Sequence, residues 1–233
     1  DMLMRDVKDL TQSRFLMDGW VMSGLLAITP ITAMMCALQV MVDDKVRKIV
    51  KDFGVAPITK KSYVAGYIFS AFIISCLVDL IALVLLEIYV VSNGGNILTI
   101  NEVFQTGGLI LLSTFASTSM VFFAVSFLKS QNVYAIMSTL IGILAGFVTG
   151  TILPVGMFPE SVQWVVRLFP ISHAAALFRQ VIMDVPMRIS FSGAGANRLE
   201  EFKEYMGITY KFGDYTVSMA VGILILVLTS VLF

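Results

Sequence analysis

Long uncharged runs alternate with short charged ones along the chain. Residues 19–42 carry no charge over 24 positions. Residues 63–91 are apolar apart from Asp79 and Glu87. Uncharged runs then cover residues 103–128, 133–153 and 215–233. A hydrocarbon core of about 30 Å needs about 20 helical residues. The pattern predicts five membrane-crossing helices within a single transmembrane domain over 1–233. Pro30 lies inside the first run, where a membrane helix tolerates it. Residues 1–18 hold three basic and four acidic residues and are too polar to cross.

The dense charge lies in residues 43–61, between the first two runs. Val46, Ile49, Val50 and Phe53 fall at i, i+3, i+4 and i+7, which makes one apolar face of a short helix. Asp43 and Asp44 suit its start, and Lys48 and Lys51 its end, because the helix dipole favours those signs there. Gly54 fits as its stop, and Pro57 prevents resumption. A helix lying on the membrane surface and a helix that docks a soluble partner both fit this pattern.

Basic residues in short loops set orientation. Lys45, Arg47, Lys48, Lys51, Lys60 and Lys61 make the 43–61 loop cytoplasmic, and Lys129 does the same for the turn after residue 128. The loop after residue 91 carries no Lys or Arg and faces outside, as does the long segment 154–214. That segment is punctuated by Pro154, Pro159, Pro170 and Pro186. Residues 161–169 and 172–183 read as two short apolar helices, interfacial or re-entrant at the outer leaflet. Beyond Pro186 the chain turns polar. Asn197 and Glu200 suggest a capping-box start for a small exposed helix over 198–206, ended by Gly207.

Composition agrees with the pattern. The chain of 233 residues is 58% hydrophobic and 14% charged, and its mean hydropathy is +0.88. Soluble domains average about 25% charged residues. Zero net charge removes a basic field for nucleic acid. A single histidine, His173, excludes a multi-histidine metal site, and it reads as structural. Cys36 and Cys76 lie inside apolar runs and read as packing residues. No Walker-type phosphate loop is present, nor a G-x-S-x-G or H-E-x-x-H motif. The chain therefore holds no ATP site of the usual kind and no nucleophile–base set.

Two stretches carry a resemblance: VDDKVRKIVKDFGVAPITKKSYVAGY, from residue 42, and LPVGMFPESVQWVVRLFPISHAAALFRQVI, from residue 153. With the order of spans around them, they resemble the permease of an ABC transporter of the type-2 exporter class. The resemblance implies an all-α integral membrane protein of the bacterial plasma membrane, with five spans here and six in the family. It implies that the first span, the interfacial helix before it and the cytoplasmic tail lie outside this sequence. It makes residues 43–58 a cytoplasmic coupling helix, with Asp44, Lys45, Val46, Lys48, Ile49, Phe53 and Pro57 against an ATPase subunit. It makes Glu160–Ile182 an outer re-entrant hairpin capping the substrate route. It implies a second permease copy or homologue, and places ATP and magnesium on the partner, leaving this chain non-catalytic. Family cargo includes drugs, antibiotics, lipid-linked sugars and peptides, which makes drug efflux one expectation. A secondary transporter or channel without an ATPase is the alternative, and it would want inverted repeats or several buried charges.

Single residues then stand out. A charge at mid-span costs roughly 2.5–3.5 kcal/mol, so Asp79 faces a protein interior, or a cavity, or is protonated. With Glu160 and Phe169 it is a candidate for the route or the dimer seam. Glu87 falls near the same helix face, close to the outer interface. Gly142, Gly146 and Gly150 recur every four residues and predict a flat stripe for a neighbouring helix. Ser113, Thr114, Ser117, Thr118 and Ser119 are expected to bond their own helix or its neighbours.

Overall fold

The computed structural model describes residues 13–49, 59–191, 198–213 and 215–233. Helix α1 spans Ser13–Val46, α2 Lys60–Ser92, α3 Ile100–Ser126 and α4 Gln131–Val148. Two short helices follow, α5 (Glu160–Leu168) and α6 (Pro170–Ile182), then α7 (Asp184–Ser190) and α8 (Leu199–Tyr205). A small antiparallel hairpin pairs β1 (Lys211–Phe212) with β2 (Tyr215–Thr216). Helix α9 covers Met219–Leu232. The fold is an all-α membrane bundle. Helices α1 to α4 are long and apolar enough to cross a bilayer, and the pair α5–α6, bent by 86°, would make a fifth crossing.

Helix α1 is the central rod. Its 34 residues extend about 51 Å at 1.5 Å each, so it overruns the hydrocarbon core. It packs against α2, α3, α4, α6 and α7. Leu16, Met22, Leu26, Ile31, Met34 and Leu38 are buried along its length. Helix α2 shows the reverse. Phe69, Leu77, Ile81, Leu85 and Ile88 are exposed, and a narrow stripe through Ala71, Ser75, Asp79, Leu83 and Val90 is buried. An outward apolar face suits lipid, whereas water would penalise it.

Several ends differ from the sequence expectation. Helix α4 stops at Val148 rather than running to residue 153. Gly150 takes a left-handed φ of 69°, and the Thr151 and Ile152 amides return to the Gly146 carbonyl, which closes the helix. Pro186 does not end helical structure. It sits in the first turn of α7, where its missing N–H costs nothing. Helix α9 begins at Met219 because Tyr215 and Thr216 pair in the hairpin, so the fifth apolar run supplies only 14 helical residues.

The two short helices of the 154–214 segment prove unlike each other. Helix α5 exposes Val162, Trp164, Val165 and Leu168. Helix α6 is buried on nearly every face and packs against α1, α3 and α9. The bend between them falls at Phe169, which precedes Pro170. A residue before proline is pushed to extended backbone, and Phe169 has φ −78° and ψ 129°. The helix expected over 198–206 forms as α8, but it is not wholly exposed. Phe202 and Met206 are buried with Trp20, Met183 and Phe191. Asn197 lies outside the described residues, and Arg198 occupies the N-cap position without capping the helix through its side chain.

Candidate functional site

The residues expected to couple to a partner begin at the basic end of α1. Asp43 and Asp44 do not open a separate helix. They fall in the last turns of α1, which continues to Val46. Acidic side chains there oppose the helix dipole, and long-range partners offset that cost. Asp44 accepts a hydrogen bond from the Tyr67 hydroxyl of α2. Asp43 accepts one from the Gln131 side chain, at the start of α4. Lys45 donates to the Ser126 carbonyl, the last residue of α3, at 2.9 Å. Three consecutive residues of α1 thus tie it to the same ends of the other three long helices.

The chain then breaks. Lys48 takes a left-handed φ of 62°, which ends the helical phase and puts Ile49 out of register with Val46. The single face predicted from Val46 to Phe53 therefore does not run on from α1. Val46 is exposed, with Lys45, Arg47 and Lys48 beside it in the sequence. Val50, Lys51, Phe53, Gly54 and Pro57 lie outside the described residues. Helix α2 restarts with Thr59 as N-cap, its hydroxyl accepting from the Ser62 amide at 3.2 Å.

The three residues expected at a route or seam are not brought together. Phe169 lines an apolar groove of ≈ 150 Å³ with Ile31, Val121, Leu144 and Ile171, and neither Glu160 nor Asp79 lines it. Glu160 is exposed in the first turn of α5. Asp79 is fully buried, and neither of its carboxyl oxygens has a hydrogen-bond partner among the described residues. Glu87 accepts from the Leu98 amide at 2.6 Å. It lines a separate cavity of ≈ 160 Å³ near Glu102, Phe15 and Pro186.

Among the described residues, no other helix seats on the glycine stripe. The open side of Gly142 meets nothing within 4 Å. A Cβ on Gly146 would lie 2.8 Å from Ile152, which belongs to the chain folding back after the helix. Gly150 ends α4. In α3, Ser113, Thr118 and Ser119 bond their own helix, to Ile110, Thr114 and Phe115. Ser119 also reaches the Ser230 carbonyl of α9 at 3.1 Å.

A second cluster lies at the opposite end of the bundle, and the sequence reading missed it. The carbonyls of Met206, Gly207 and Ile208 follow α8. Each is taken by a side chain from a bundle helix. Trp20 Nε1 of α1 donates to Met206 at 3.0 Å. Arg179 Nη1 of α6 donates to Gly207 at 3.2 Å. Gln180 Nε2 donates to Ile208 at 2.8 Å. The Arg179 guanidinium also lies over the Trp20 ring, 5.2 Å from its centre. Gly207 needs its φ of 68° to turn these carbonyls inward. His173 bonds the Arg167 carbonyl at 2.8 Å and packs edge-on against Tyr210. Burial pushes the Tyr210 phenol up from its ordinary pKa. A lone arginine in a thirteen-residue helix with no other charged residue was the available signal.

Among the described residues, no three or more His, Cys, Asp or Glu side chains gather as a metal site. Comparison with curated proteins finds no match, and neither does comparison with solved structures. A family model described as "ABC-2 family transporter protein" matches residues 9–233. With a bundle of membrane-length helices knotted together at its basic end, the chain belongs to that ABC-2 transporter family.

Proposed function

We propose that this chain is the membrane-spanning permease subunit of an ATP-driven exporter, working with a separate ATPase subunit and a second permease. The basic end of the bundle faces the cytoplasm, on the argument from Lys and Arg in the short loops. ATP and magnesium belong to the partner. Residues 43–58 form the contact that receives its motion. The reading extends to a bacterial plasma membrane, with drug-like cargo within its range.

The observation that supports coupling at this point is the three-way tie from Asp43, Asp44 and Lys45 to α4, α2 and α3. A displacement applied just beyond Val46 acts on all four long helices together. Bonds to charged groups are worth about 1.5–3 kcal/mol when shielded and less where water reaches them, as it does here, so they can exchange when a partner pushes. Exposed Val46, beside Lys45, Arg47 and Lys48, supplies an apolar anchor with a cationic rim.

Tyr67→Phe removes one tie and keeps the ring. In the full assembly with its ATPase, the expected result is ATP hydrolysis that continues while transport falls severalfold. Unchanged transport per ATP, with the ATPase still bound, removes the coupling assignment. Transport by the purified protein without any ATPase removes the exporter reading itself.

A further inference from the structure

Asp79 lies at mid-length in α2, fully buried, with both carboxyl oxygens unbonded by any described residue. It is not alone. Ser75, one turn away on the same face of α2, is also fully buried, and its hydroxyl is unpartnered. Thr114 of α3 is buried likewise, and its hydroxyl has no partner beyond a weak contact with the Cys76 thiol. The α2–α3 register, set by Phe72 edge-on to Phe115 with ring centres 6.2 Å apart, brings Thr114 within about one turn of Ser75 and Cys76 along the bundle. Helix α1 completes the wall. The α1–α2 register, set by Asp44 at Tyr67, brings Pro30 within about one turn of Asp79 along the bundle. Pro30 lacks an N–H, so the Leu26 carbonyl has no helical partner.

Buried polar groups are almost always satisfied. Here four oxygens from three side chains lie buried where α2 packs on α3, without bonding one another. Neither α1 nor α3 sets a positive charge against them. Helix α1 carries no charged residue between positions 19 and 42, and α3 none from position 103 onward. Two carboxylate oxygens and two hydroxyls are a hard oxygen set of the kind alkali and alkaline-earth ions take. A single carboxylate balances a single positive charge, whereas a divalent ion would leave an excess charge in the membrane interior.

We propose that Asp79, Ser75 and Thr114 form a buried site for a monovalent alkali cation of sodium size between α1, α2 and α3. Binding there clamps the long helices to one another. The site does not depend on coupling to an ATPase.

The test uses the full-length protein in lipid nanodiscs, unfolded by heat at one pH and one ionic strength, in sodium chloride or in choline chloride. Sodium is expected to raise the melting temperature saturably, as binding to the folded state alone requires. Asp79→Asn is expected to abolish that response. Ser75→Ala and Thr114→Val, which keep the fold's volume nearly intact, are expected to raise the half-saturating sodium concentration severalfold. They carry the test should Asp79→Asn not fold. Equal melting in sodium and choline overturns the proposal, as does a sodium response that survives all three substitutions. A response to pH alone, lost in Asp79→Asn, would assign a proton in place of the cation and overturn it equally.

Discussion

The two ends of the bundle are tied by different chemistry. At the basic end the ties leave the last turns of α1 and join exposed or half-buried side chains to other helices: Asp43 to Gln131, Asp44 to Tyr67, Lys45 to the Ser126 carbonyl. At the opposite end, Trp20, Arg179 and Gln180 reach three successive backbone carbonyls, those of Met206, Gly207 and Ile208. Trp20 and Arg179 are buried there. A solvent-accessible side-chain pair can be replaced by water at little cost, whereas a buried carbonyl that loses its donor keeps the full desolvation penalty. The contrast teaches a division of labour along one helix. Helix α1 is held firmly where it meets the 198–213 segment and loosely where a partner would push.

Arg179 is where that contrast is most exposed to test. Its guanidinium is fully buried, bonds Gly207 and covers Trp20. Arg179→Ala leaves a cavity and an unpaired carbonyl together. We expect a loss of about 3 kcal/mol, from a charged hydrogen bond and an unfilled volume. It should be read as a lower melting temperature and as faster proteolysis within residues 198–213. Arg179→Met separates the two causes by filling the space without donating. If Arg179→Ala melts like the parent protein, the firm end is not firm.

Trp20→Phe comes next. It keeps most of the buried ring and removes only the bond to the Met206 carbonyl. The expected cost is about 1 kcal/mol, with proteolysis again centred on the segment after α8. A loss spread evenly over the bundle instead would mean that Trp20 matters for packing alone.

How much of this could be read from the sequence follows the reach of each interaction. The bent pair α5–α6 was legible because Pro159 and Pro170 are local signals, and the bend falls between them. The four long spans were legible because hydrophobic runs of that length leave few alternatives. Asp43 and Asp44 misled because acidic pairs usually start helices. Their partners stand 88 and 23 residues further along the chain, beyond any local pattern. Lys48 in a left-handed turn had no signal, since that conformation normally selects glycine or asparagine. Asp79 was noticed as a charge out of place. The buried hydroxyls around it came only from the way α2 and α3 meet.

Lys45 should give the smallest effect on stability, and it sharpens the comparison most. Its ammonium is exposed and, among the described residues, reaches the terminal carbonyl of α3. In Lys45→Ala, water takes that carbonyl, so melting should move by less than about 0.5 kcal/mol, as exposed substitutions do. Transport per ATP in the full assembly should nevertheless fall, because α3 no longer follows the end of α1. Function and stability then part company at this end, whereas Arg179→Ala should lower both. If Lys45→Ala destabilised the protein more than Trp20→Phe does, the basic end would be a clasp like the other. The loose end that a partner moves would then have to lie further along, within residues 50–58.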